Sequence, residues 1–139
     1  MSISENGVIN IIKKALAILY LSDRELIFKK AHEQAIAARL LCYLQNLLPE
    51  WDIDVEYNRQ GEGIIPKTDM RGVKRKPDII IHKRGPAGPN LAVILVKCEW
   101  NRESREIEKN IILSIKKKYD YKTAFLLEIK SSDYELSSV

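Results

Sequence analysis

77-PDIIIHKRGPAGPNLAVILVKCEW-100 holds two apolar runs, with an aspartate before the first and a lysine near the end of the second. Residues 78–82 and 91–100 are predicted strands, because short β-branched runs are bounded here by turn residues, and 84-RGPAGPN-90 is the turn. Side chains alternate across a strand, so Leu91, Val93, Leu95, Lys97 and Glu99 share one face of the second run. On the first run Asp78, Ile80 and His82 share a face. If the strands pair with those faces together, an acid and a base meet at one edge of the sheet.

Upstream, Val8, Ile11, Ile12, Leu16 and Leu19 have helical spacing over residues 6–20. The motif 22-SDRE-25 has the form of a capping box and predicts a second helical segment, with or without a break near Lys30, that Pro49 stops. From Trp51 the period changes to two: Ile53, Val55 and Tyr57 alternate with Asp52, Asp54 and Glu56, as in a half-buried strand. A flexible loop is expected over about 60–76. Downstream, Ile107, Ile111 and Ile115 mark a helix over 102–118, 123-TAFLLEI-129 is a last strand, and the tail from about 131 to 139 is expected to fray. The order ααβββαβ predicts an α/β fold, a central mixed β-sheet flanked by helices, in one domain spanning 1–139.

At 139 residues the chain supports one core. Its composition, 45% hydrophobic and 30% charged, is that of a globular protein, and no apolar run has the length of a membrane span. MSISENGVIN lacks the pattern of a secretory signal, which predicts a cytoplasmic location. Cys42 and Cys98 have no zinc-site spacing and are expected to be buried free thiols. His32 and His82, also without ligand spacing, are expected in hydrogen-bonded surface roles. The net charge of +4 gathers in 71-RGVKRK-76 and 116-KKK-118, which suits a polyanion as well as a solvated surface.

One residue conflicts with its surroundings. Glu33 is in line with Ala37, Leu40, Leu44 and Leu47, so a carboxylate sits on the stripe that should face the sheet. It must be paired, with Arg39 or Lys97, hydrogen-bonded or metal-bound.

Glu33 in HEQAIAARL, 56-EYNR-59, 77-PDIIIHKRG-85, a hydrophobic strand ending at Lys97, and 123-TAFLLEI-129 together resemble the PD-(D/E)xK nuclease superfamily, specifically its small stand-alone archaeal-type members. The resemblance spans roughly residues 5–129 and implies a restriction-endonuclease-like fold, a magnesium-dependent phosphodiesterase activity, a nucleic-acid partner and a homodimer. By position it makes Glu33, Asp78 and Lys97 the catalytic residues, with Asp78 a metal ligand. The second acidic position of the pattern is Leu95, which cannot bind magnesium. Glu99 and Glu56 are substitute ligands, although position 99 lies roughly 13 Å along a strand from position 95. Magnesium binding is therefore expected to be weak or absent. Arg59, Arg71, Lys74, Arg75, Lys76, Lys116, Lys117 and Lys118 are the expected phosphate contacts. The alternative is a catalytically inert nuclease-fold scaffold that binds other proteins.

Overall fold

A computed structural model describes residues 3–55, 79–85 and 88–139. Three helices come first: α1 (Glu5–Ser22), α2 (Arg24–Phe28) and α3 (Glu33–Leu47). They are followed by β1 (Asp52–Val55), β2 (Ile79–His82), β3 (Asn90–Cys98), α4 (Arg105–Lys118), β4 (Thr123–Ile129) and β5 (Tyr134–Ser138). None of the helices among the described residues is long and apolar enough to cross a membrane.

The chain is an α/β fold built on one five-stranded mixed sheet, with the strands side by side in chain order. Among the described strands only β3 and β4 are parallel. Parallel neighbours need a crossover, which α4 supplies. α1 and α3 cover one face, where Ile79, Ile81, Ile94, Val96, Phe125 and Leu127 meet Leu16, Leu19, Leu40 and Leu44. α4 covers part of the other, burying Ile111, Ile112 and Ile115 against Ile80, Val93, Leu95 and Leu126. Because both faces of β3 and β4 are covered, these strands carry unbroken apolar runs.

Several expectations are corrected. The break near Lys30 that the sequence left open does occur, at a left-handed φ of 52°, so three helices rather than the two of ααβββαβ precede the sheet. No capping box forms at Ser22: α1 continues through that residue, and the Asp23 carboxylate is bound by Arg39 Nε at 3.3 Å and by the Tyr43 hydroxyl. The inner stripe of α4 is Glu108, Ile111, Ile112 and Ile115, while Ile107 is 58% exposed. Spacing of exactly four residues drifts from the 3.6-residue helical repeat, which carries Ile107 off the stripe. Cys98 is buried but Cys42, beside the Leu40–Leu44 stripe rather than on it, is exposed.

The tail expected to fray is the fifth strand. Lys130 N–H closes a turn onto Asp133 O at 2.9 Å, Val139 N–H donates to Ala124 O at 2.9 Å, and Lys116 Nζ donates to Val139 O at 3.0 Å. An edge strand needs only one half-buried face, and Tyr134 and Leu136 supply it against the α1 side of the core. The expected flexible loop, 60–76, lies outside the described residues.

Candidate functional site

Lys97 is the next-to-last residue of β3, on the face covered by α4. Its side chain is 12% exposed, and three carboxylates surround the ammonium: Glu103 Oε1 at 3.2 Å, Glu108 Oε1 at 3.8 Å and Glu33 Oε1 at 3.9 Å. Burial alone would lower the lysine pKa, but the hydrogen bond it donates to Glu103 and the charges of Glu108 and Glu33 outweigh it and hold the group above its ordinary value. Glu103, largely exposed, is lowered chiefly by hydrogen bonds from Asn101 and Lys97.

Each carboxylate arrives from a different element. Glu33, in the first turn of α3, uses its other oxygen to accept from Cys98 N–H at 2.8 Å and from Asn101 Nδ2 at 2.9 Å. It thereby ties the start of α3 to the chain leaving β3. Glu103 precedes α4, and its backbone N–H bonds Asn101 Oδ1 at 2.9 Å. Glu108 lies in the first turn of α4, whose Ser104 cap accepts from Ile107 N–H at 3.3 Å; a carboxylate there also complements the helix dipole. Its side chain is 9% exposed. Arg105 completes the turn, donating through Nη2 to Cys98 O at 2.8 Å and Asn101 O at 2.7 Å, and through Nη1 to Glu103 O at 2.7 Å.

Of the expected site residues, Glu33 and Lys97 are brought together. Arg39, the other partner considered for Glu33, pairs with Asp23 instead. Glu99 is exposed, its N–H bonded to Ile129 O at 2.7 Å, and it is not among the carboxylates that pair with Lys97 among the described residues. Asp78, Glu56, Arg59, Arg71, Lys74, Arg75 and Lys76 lie outside the described residues. β2 begins at Ile79, adjacent and antiparallel to β3, with Ile79 opposite Ile94. Lys116, Lys117 and Lys118 form the last turn of α4, where cations suit the helix dipole.

Leu95 is 7% exposed, in the apolar cluster under α4. Among the described residues no group of three or more histidine, cysteine, aspartate or glutamate side chains is placed to hold a metal ion, and Asp78 lies outside them. The position between the core and the lysine is apolar, Glu33 is engaged on both oxygens, and Glu103 and Glu108 face the ammonium. The arrangement is an ion-paired cluster able to fix Lys97, Asn101 and the β3–α4 turn relative to α3.

Sequence reasoning missed Glu103, Asn101, Arg105 and above all Glu108. The available signal for Glu108 was its spacing from Ile111, Ile112 and Ile115, which puts it on the buried stripe. It also missed a second cluster at the opposite end of the sheet, where His82 pairs with Asn90, the first residue of β3. His82, expected at the surface, is 4% exposed, with Nε2 2.7 Å from Asp54 Oδ2. Arg84 donates to the same carboxylate through Nη2 at 2.6 Å and Nε at 3.1 Å, and its backbone N–H bonds Asp52 Oδ2 at 3.0 Å. Burial would raise the Asp54 pKa, but the bonds from Arg84 and His82 prevail and lower it.

No protein-family model, curated protein or solved structure matches the chain.

Proposed function

We propose that this chain is a nuclease-fold nucleic-acid-binding protein, cytoplasmic, whose phosphodiesterase site is impaired at Leu95. The observation that carries the reading is the pairing of Lys97, at the end of β3, with Glu33 of the first turn of α3. Both residues belong to the resembling motif, and they come from segments 64 positions apart in sequence. The adjacency of β2 and β3 adds support, since the strand that follows Asp78 is the neighbour of the strand that carries Lys97. Magnesium is bound weakly or not at all in this reading: Leu95 contributes no oxygen, and the carboxylates at Lys97 are already committed to ion pairing.

Phosphates are then held by Lys116, Lys117 and Lys118, at the other end of α4 from Glu108, and by the basic stretch 71–76. Such contacts are electrostatic and largely independent of sequence. Fluorescence anisotropy with labelled single- and double-stranded oligonucleotides tests this: binding should weaken steeply and linearly in log–log form as salt rises. Absence of binding at low salt overturns the reading. The caged lysine also suits an inert scaffold that binds protein. Charge reversal at Lys74, Arg75 and Lys76 separates the two, because a scaffold keeps its partner while a nucleic-acid binder loses affinity.

A further inference from the structure

We infer that the free edge of β5 is a self-association surface whose occupant is β5 of a second copy of this chain. Among the described residues β5 pairs with β4 alone and ends the sheet. Antiparallel pairing turns the backbone groups of alternate residues inward and outward. The inward bonds of Asp133 O and Val139 N–H fix the parity, so Tyr134, Leu136 and Ser138 direct N–H and C=O outward. Those groups have no partner strand among the described residues.

Natural edge strands carry guards: lysines, prolines, bulges or marked shortness. Tyr134–Ser138 has none of the first three and is of ordinary length. Its one charge, Glu135, is matched by Lys130 Nζ at 3.2 Å. The edge is also held in place rather than free to fold away. The Tyr20 hydroxyl bonds the carbonyls of Lys130, at 2.8 Å, and Asp133, and Ser138 Oγ bonds Glu5 Oε2 at 3.2 Å.

The strand's own sequence says what fits it. A two-fold axis through Leu136 sets Tyr134 against the partner's Ser138 and Leu136 against the partner's Leu136. Every outward-facing residue then has a hydrogen-bonding counterpart. On the α4 face the same register sets Glu135 opposite the partner's Ser137, so no like charges oppose. Moving the axis to Glu135 would place two carboxylates face to face, which is destabilising. Moving it to Ser137 would leave Tyr134 without a counterpart. The favoured register makes one continuous sheet from two copies.

Sedimentation velocity across a concentration series, with wild type, Ser137→Glu and Ser137→Lys, tests the inference. Ser137 lines a small cleft with Arg105 and Lys109 and with Glu128 and Glu135, so circular dichroism accompanies each variant to show that the fold is kept. The wild type should dimerise. Ser137→Glu opposes the partner's Glu135 on both sides of the axis and should weaken the dimer roughly tenfold, whereas Ser137→Lys should retain or tighten it. Ser138→Pro removes an outward N–H and the exposed Oγ bond to Glu5 but no bond to β4, and should leave a folded monomer by circular dichroism. A wild type that stays monomeric into the millimolar range overturns the inference, as does a dimer indifferent to all three substitutions.

Discussion

Removing the Lys97 ammonium while keeping its stem, as in Lys97→Met, should destabilise the fold by about 3 kcal/mol. Lys97 and Glu108 are 12% and 9% exposed, with the ammonium 3.8 Å from the carboxylate. Deleting one member of such a buried pair typically costs about 3–5 kcal/mol, because the other is left charged and uncompensated. The low end applies here: Glu33 keeps its bonds from Cys98 and Asn101, and Glu103, 60% exposed, adds no more than about 1 kcal/mol. Replacing both members by apolar groups removes the stranded charge, so Lys97→Met with Glu108→Leu should return to within about 1 kcal/mol of wild type. Urea unfolding followed by circular dichroism reads both, as a shift in midpoint at constant slope. The deficit of the single variant should also shrink as pH falls, since an unpaired buried carboxylate has a raised pKa and is stabilised by protonation. A Lys97→Met loss below about 1 kcal/mol, or a double variant less stable than the single, would refute the buried-pair account.

Glu33→Ala should cost about 2 kcal/mol by removing the bonds that Glu33 accepts from Cys98 N–H and Asn101 Nδ2, and Glu33→Gln distinctly less, both by urea midpoint. Asp54, with a folded pKa below its unfolded one, contributes stability that is present above the ordinary aspartate pKa and lost as pH falls through the lowered folded value. The stability gap between wild type and Asp54→Asn should accordingly narrow in acid, and a gap constant with pH would contradict the Arg84–His82 bonding. Replacing Lys116, Lys117 and Lys118 by glutamate should weaken oligonucleotide binding and flatten its salt dependence, measured by anisotropy.

The parts of this fold legible in the sequence were those where a residue's neighbours in the chain are also its neighbours in chemistry. β3 announced itself by an unbroken apolar run, and Glu33 by sitting on an apolar stripe, so its need for a partner could be stated before Lys97 was seen beside it. Glu108 was illegible for the opposite reason. A glutamate in the first turn of a charged helix is ordinary, and the stripe chosen through Ile107 was rotated away from the one that faces the sheet. β5 was missed because Ser131, Ser132, Asp133 and Glu135 suggest solvent, while its two half-buried residues, Tyr134 and Leu136, are enough for an edge. The Asp54–His82–Arg84 cluster depends on the register of β1 with β2, which no local pattern encodes.

Cleavage of plasmid and single-stranded substrates with magnesium or manganese, comparing wild type, Asp78→Ala and Leu95→Glu, tests most directly whether Leu95 has disabled a nuclease site. The account predicts little or no cleavage by wild type and a gain in Leu95→Glu, which restores the missing carboxylate two positions before Lys97. Robust cleavage by wild type that disappears in Asp78→Ala would contradict it.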